Sequence, residues 1–173
     1  QFVNILHDFG LNNPDIDKNT GPVLCLGPCE VSVGEMTSAY TTFANGGIRC
    51  APLFVTKIED SHGNVIAKFQ PLMTEVISEV SSYQMIDMLR AVIQGGTGSR
   101  LRYAYHLTAD IGGKTGTAQS DPNRPPYAWF VGYAAEPHVA VVAFVQSTAV
   151  SRDDISGGKV AAPIFKAVVE AVK

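Results

Sequence analysis

Thr108-Ala-Asp-Ile-Gly-Gly-Lys-Thr-Gly-Thr-Ala-Gln-Ser120 decides how the rest of the chain is read. The stretch predicts a strand with chemistry on its edge. Lys114 is a point cation, and Thr115 and Thr117 are small hydroxyl donors. Gly112, Gly113 and Gly116 leave the backbone bare enough for a ligand to lie against it. Such a set suits a carboxylate and a peptide backbone bound together. Gly113-Lys114-Thr115 also ends like a phosphate-binding loop, but that motif needs a glycine where Thr108 stands, so nucleotide binding is not supported. A plain hairpin strand with a solvated Lys is the other simple reading of K-T-G, and the neighbouring sequence argues against it.

Downstream, Tyr127, Trp129, Val131 and Tyr133 alternate with Ala128, Phe130, Gly132 and Ala134. Both faces are therefore apolar, which predicts a strand interior to a sheet. Val139 to Val145 is apolar at every position and reads as a central strand. Between the K-T-G strand and Tyr127, residues 120–126 hold three prolines and cannot continue a ladder. Lys159 to Val172 predicts a helix with Pro163 in its first turn. Val160, Ile164, Ala167, Val168 and Ala171 are its expected sheet-facing line.

Upstream, Ser32-Val-Gly-Glu35 is a capping box. The helix it opens has Met36, Tyr40, Phe43 and Ala44 as its expected buried stripe and ends at Gly46-Gly47. Residues 1–9 predict a helix with Phe2, Ile5, Leu6 and Phe9 on one face, stopped by Gly10; residues 12–30 show no period and read as loop. Leu53 to Glu59 and Val65 to Phe69 flank a turn-like Asp60-Ser-His-Gly-Asn64, predicting a peripheral hairpin over 53–69 with Lys57 and Lys68 outward. Ser78 to Gln94 is the clearest helix. Ser81, Met85, Met88 and Val92 form one line on it, Ser82, Ile86, Leu89 and Ile93 the next, and Gly95-Gly96 breaks it. The Thr97-Gly-Ser-Arg100 segment is expected to be flexible, with Arg100 and Arg102 solvated or paired with carboxylates. His7 reads as a surface or packing residue and His62 as an exposed turn residue.

The composition is that of a globular chain: 173 residues, 46% hydrophobic and 17% charged, exclude a disordered or collagenous class. A net charge of −3 with no basic run argues against a nucleic-acid partner. No apolar run approaches the roughly 18 to 20 residues that span a bilayer. Opening at Gln1 in mid-element, the chain reads as a piece of a longer protein. Cys25, Cys29 and Cys50 complete no metal set. A short-loop disulfide between Cys25 and Cys29 stays open beside the simpler reading of ordinary buried thiols.

The order of these features resembles the C-terminal half of the penicillin-binding protein transpeptidase domain, whose third active-site motif is K-T-G on a sheet edge. Two further stretches carry the resemblance, Val33-Gly-Glu-Met-Thr-Ser-Ala-Tyr-Thr-Thr-Phe-Ala-Asn-Gly-Gly47 and Gly95-Gly-Thr-Gly-Ser-Arg-Leu101. Residues 26–102 look more like bifunctional members, which also polymerise glycan strands, and residues 125–170 more like monofunctional ones. The fold class expected is α+β: an antiparallel sheet with helices packed on it, without βαβ crossovers. Residues 1–173 would form the C-terminal part of one domain, with active-site strands over 107–146 and a terminal helix over 159–173.

The resemblance implies peptidoglycan cross-linking by a D,D-transpeptidase on the extracytoplasmic side of the bacterial cell envelope, anchored by sequence outside this chain. A serine in an S-x-x-K motif would attack the D-Ala-D-Ala bond of a stem peptide and form an acyl-enzyme, as it would with β-lactam antibiotics. Lys114 would supply the catalytic positive potential, Thr115 and Thr117 would hold the substrate carboxylate, and Gly116 would let the acyl group approach. The Thr117 N–H would serve the oxyanion hole. No cofactor and no metal are implied. The chain has no S-x-N motif, and its one formal S-x-x-K, Ser156-Gly-Gly-Lys159, follows K-T-G whereas the family's precedes it. The nucleophile is therefore expected upstream of Gln1, in the other half of the domain. A carboxypeptidase or β-lactamase of the same fold, or a non-catalytic binding or scaffold module, are the alternatives.

Overall fold

The structure is a computed structural model that describes residues 1–18, 21–119 and 123–172. The N-terminal helix, α1 (Phe2–Asp8), is followed by a short helix, α2 (Pro14–Lys18), a 3-10 turn at Pro22–Leu26, and α3 (Val33–Ala44). The loop expected over 12–30 is thus partly helical. Asn13 starts α2, its side chain accepting from the Asp15 N–H at 2.8 Å, and Pro14 and Pro22 supply first-turn geometry. Ile16 and Leu24 are buried and carry this segment into a small core with Leu11 and Ala39. Val3, Leu6 and Phe9 pack against that core, whereas Phe2 and Ile5 of the expected face are exposed.

The capping box of α3 forms as expected, with the Glu35 N–H donating to Ser32 Oγ at 3.1 Å and the Ser32 N–H donating to Glu35 Oε2 at 2.8 Å. Its buried line differs from the expected one. Ser38, Ala39 and Thr42 are buried, Met36, Tyr40 and Phe43 half-buried, and Ala44 exposed. Ser38 is tolerated there because its Oγ donates to the Cys50 carbonyl at 3.1 Å, in the strand that returns beside the helix, whereas the buried Thr42 Oγ1 has no hydrogen-bond partner among the described residues. The Phe43 ring packs against both Tyr40 and Phe9, and burial pushes the Tyr40 phenol up to about 12.

A two-stranded ladder, unseen in the sequence, follows: β1 (Ile48–Cys50) pairs antiparallel with β4 (Met73–Glu75). Between them, β2 (Lys57–Glu59) and β3 (Val65–Lys68) form the expected hairpin, shorter than its apolar runs. Asp60 builds the turn, accepting from the His62 and Asn64 N–H groups and from Asn64 Nδ2. Ile58, Val65 and Ile66 are exposed, so the hairpin stands at the surface with Lys57 opposite Lys68. The excursion closes at its base, where the N–H groups of Val76 and Ile77 both donate to the Gly47 carbonyl.

The long helix α4 (Glu79–Gln94) is capped by Ser78 and buries Ser82, Leu89 and Ile93, the second of its two expected lines. Residues 97–99 of the segment expected to be flexible are wound into a turn, and a short helix, α5 (Arg100–Tyr103), follows it. It is held by Leu101, which is fully buried, and by the Arg102 guanidinium donating to the Leu107 carbonyl.

The main sheet has the antiparallel order β5 (Ile111–Ala118), β6 (Tyr127–Ala134), β7 (Val139–Val145). β6 is central, as its two apolar faces require. β7, expected to be central in the whole domain and to lack its second neighbour in this chain, pairs only with β6 among the described residues. Of the loop expected over 120–126, residues 120–122 lie outside the described residues, and 123–126 carry no strand. A π turn at Gly157–Ala161 leads into α6 (Ala162–Ala171), and Lys173 of the expected terminal helix also lies outside the described residues.

The face that α6 turns to the sheet is Ala162, Phe165 and Val169, while Ile164, Ala167, Val168 and Ala171 of the expected line are exposed. The reason is steric. Gly132 in β6 leaves room for the Phe165 ring, to which a Cβ at Gly132 would lie 3.2 Å, and Phe165 stacks on Phe130 at 4.7 Å. The largest side chain of the helix takes the sheet. Helices and antiparallel strands segregated in this way make the chain α+β, as expected.

Candidate active site

β5 is an edge strand, with β6 on one side and no strand on the other among the described residues. Its first three residues are buried, and its end emerges: Lys114 and Thr117 are exposed, Thr115 and Gly116 half-buried. Strand alternation places Thr115 and Thr117 on one face and Lys114 and Gly116 on the other, opposite Val131 and Trp129. The four residues singled out in the sequence therefore share one strand end but divide between its two faces. Lys114 Nζ donates to the Thr115 carbonyl at 2.6 Å, so that carbonyl is reachable from the open side.

Three other segments fix this strand. At its start, Arg90 of α4 grips Asp110 with two hydrogen bonds, 3.1 Å and 2.6 Å, a forked pairing that sets the strand's depth against the helix. On its flank, the Thr97 hydroxyl meets the Thr115 hydroxyl at 2.5 Å. Behind it, the turn before α6 closes in: a Cβ at Gly157 would lie 2.9 Å from both the nitrogen and the oxygen of Gly116. Neither Thr97 nor Gly157 was singled out in the sequence. The only signal was that Thr97 falls in the quoted Gly95–Leu101 stretch and Gly157 in the formal S-x-x-K.

That formal motif does not form a Ser–Lys pair. Ser156 is half-buried at the start of the π turn, and Lys159 directs its ammonium to Asp154 Oδ1 at 2.6 Å. The ammonium holds the Asp154 carboxyl below its usual range, with help from the Ser151 hydroxyl. Arg100 is exposed, and Arg102 is spent on the Leu107 carbonyl rather than on a carboxylate. All three cysteines are free; Cys25 is exposed, contrary to a buried thiol, and burial raises the Cys29 thiol. Among the described residues no cluster of three His, Cys, Asp or Glu could hold a metal, and no helix is long and apolar enough to cross a membrane.

The family model described as penicillin binding protein transpeptidase domain matches residues 1–170. The chain is 36% identical over 144 residues to penicillin-binding protein 1A of Aquifex aeolicus, covering 82% of this chain and 19% of that protein. It is 34% identical over 126 residues to penicillin-binding protein 1A of Clostridium novyi, covering 72% of this chain and 14% of that protein. The chain thus spans a small part of these relatives' length. Among solved structures, penicillin-binding protein A from M. tuberculosis in its penicillin G acyl-enzyme complex superposes with a TM-score of 0.75 at 22% identity, over 97% of this chain and 42% of that one. Penicillin binding protein 3 from the same organism, complexed with aztreonam, gives a TM-score of 0.77 at 24% identity, over 99% of this chain and 45% of that one.

Proposed function

Since the chain belongs to the penicillin-binding protein transpeptidase domain family, matched over residues 1–170, we propose that it is the part of a D,D-transpeptidase that binds the substrate carboxylate and lines the acyl site. The observation that carries this reading is the open edge of β5, where Lys114, Thr115, Gly116 and Thr117 emerge with no strand beside them among the described residues. A peptide can lie along such an edge and add its backbone to the sheet. The Lys114 ammonium supplies positive potential for the terminal carboxylate of a D-Ala-D-Ala stem peptide, and the hydroxyls of Thr115 and Thr117 donate to it. The Thr117 N–H points to the same edge as the Thr115 carbonyl, because backbone groups two residues apart share a side. It stands ready for the oxyanion of the tetrahedral intermediate.

The nucleophilic serine belongs to the upstream half of the domain. Its oxygen bonds to the carbonyl carbon of the penultimate D-Ala, the peptide bond breaks, and the terminal D-Ala leaves as an amine. An amine of a second stem peptide then attacks the ester, forms the cross-link and returns the serine. A β-lactam opens its ring amide on the same serine and stays bound as an ester. The reading places the protein at the extracytoplasmic face of the bacterial cell envelope, where peptidoglycan lies, held there by sequence outside this chain. It needs no cofactor and no nucleic-acid partner.

The test is labelled-penicillin uptake by the whole protein that carries this chain. Covalent labelling is expected, and Lys114→Ala is expected to slow it by about 10²-fold, the order lost when one partner of a hydrogen-bonded charge pair is removed. Residues 1–173 alone should remain unlabelled. A folded whole protein that takes up no penicillin, or stable labelling of the isolated chain at Ser156, overturns the reading. Mixing stem peptide with an amine acceptor then separates cross-linked product from simple hydrolysis.

A further inference from the structure

Thr97 lies 18 positions before Thr115, yet their hydroxyl oxygens are 2.5 Å apart. The contact is built from several sides. After α4 ends, the Gly98 N–H donates to the Val92 carbonyl at 3.0 Å and the Ser99 N–H to the Gly96 carbonyl at 3.1 Å, which winds residues 96–99 into a fixed turn. Gly158 closes on the same place: a Cβ there would lie 3.0 Å from the Thr97 carbonyl oxygen and 3.9 Å from Thr115 Cγ2. The Tyr105 hydroxyl donates to the Lys159 carbonyl at 3.2 Å and holds that turn in place.

We propose that Thr97 is a positioning residue for carboxylate recognition, donating its hydroxyl proton to Thr115 Oγ1 so that the Thr115 proton is left to point at the substrate. The proposal rests on the transpeptidase reading of the β5 edge. Its logic is the arithmetic of a hydroxyl, which has one proton to give and two lone pairs to accept with. Without a donor behind it, the Thr115 rotor is free to turn its proton to its own backbone or to water. With Thr97 donating, one lone pair is occupied and the proton is aimed outward. An anion beside Thr115 strengthens this polarity, since successive hydrogen bonds oriented toward a negative charge polarise one another. Lys114, on the opposite face of the strand, supplies charge without direction, and the Thr97–Thr115 pair supplies direction.

The experiment compares acylation rates of the whole protein by penicillin G and by its methyl ester, in which the carboxylate is masked. For Thr97→Val, which keeps the shape and removes the hydroxyl, the rate with penicillin G is expected to fall roughly tenfold, the worth of about one hydrogen bond. The rate with the ester should stay at the wild-type value. Thr97→Ser, which keeps the hydroxyl, should restore most of the penicillin G rate. An equal fall with both compounds means that Thr97 only holds the fold, and an unchanged penicillin G rate means that the pair is idle; either overturns the proposal. A wild-type protein that reacts with neither compound overturns the transpeptidase reading itself, and this role with it.

Discussion

The backbone of Gly116 lies against the α-carbon of Gly157, where any Cβ would come within 2.9 Å of the Gly116 nitrogen and oxygen and within 2.2 Å of the Trp129 carbonyl. All three of those atoms are backbone, so nothing flexible can give way. Gly157→Ala must therefore displace either the turn or β5. A loss of about 1 to 3 kcal/mol is expected for such overpacking, together with slower penicillin acylation as the strand end shifts. Thermal melts and labelling rates of the whole protein check both. A variant that melts and labels like the wild type would mean that the two segments are not in contact.

Phe165 is fully buried between β6 and the body of α6, whereas Ile164 beside it is exposed. Phe165→Ala should cost about 3 to 5 kcal/mol, the usual range for emptying a buried aromatic site. Ile164→Ala should cost distinctly less. Urea unfolding midpoints of the two variants decide which line of the helix faces the sheet.

His7 joins α1 to α2, with Nε2 at 2.9 Å from Asp17 Oδ1 and Nδ1 at 3.0 Å from the Leu11 carbonyl. The hydrogen bond to Asp17, ahead of the weaker contributions, raises the imidazole above its ordinary 6.5. A raised value in the folded state means that the link stabilises fully below pH 6.5 and that this contribution is lost as pH rises through the folded value. The His7 ring protons, followed by NMR, should titrate with a midpoint above 6.5. Asp17→Asn should bring that midpoint down; no movement would remove Asp17 as the cause.

β7 offers seven apolar residues, Val139–Val145, with a partner on one side only among the described residues. Unpaired apolar edges template pairing with other chains. Residues 1–173 expressed alone are expected to self-associate through this edge, to do so less with Val142→Lys, and to become monomeric when the upstream half is supplied. Sedimentation of the isolated chain reads this directly. A stable monomer with a cooperative melt would show that the edge is protected.

The sequence displayed most clearly what is encoded locally. The capping box of Ser32 and Glu35 and the apolar alternation of Tyr127–Ala134 each lie within a few neighbouring residues, and both formed as read. What stayed hidden depends on partners distant in sequence. The sheet-facing side of α6 is decided by the space over Gly132, and Ser38 and Thr42 lie buried on α3 where a polarity pattern puts them outside. β1 and β4 are three residues each, too short for a period to show. Lys114, Thr115, Gly116 and Thr117 were legible as a strand end because their residue types are unusual together. Thr97 was not, because one threonine in a glycine-rich turn says nothing until its neighbour across 18 positions is known.

The closure at Gly47 bears on how this scaffold can change over evolution. Its carbonyl takes both the Val76 and Ile77 N–H groups, and the Ala51 N–H bonds the Leu72 carbonyl, so the excursion between β1 and β4 is tied off at its neck. Beyond that neck the chain stands at the surface, with Phe54 94% exposed. Doubling the length of a tied-off loop costs only roughly 0.6 kcal/mol in closure entropy. Insertions and deletions between residues 52 and 71 can therefore accumulate in descendants of this sequence with little penalty, while the spacing from Gly95 to Gly116 stays under tight constraint. The hairpin is the place where new surface can be acquired without retuning the chemistry.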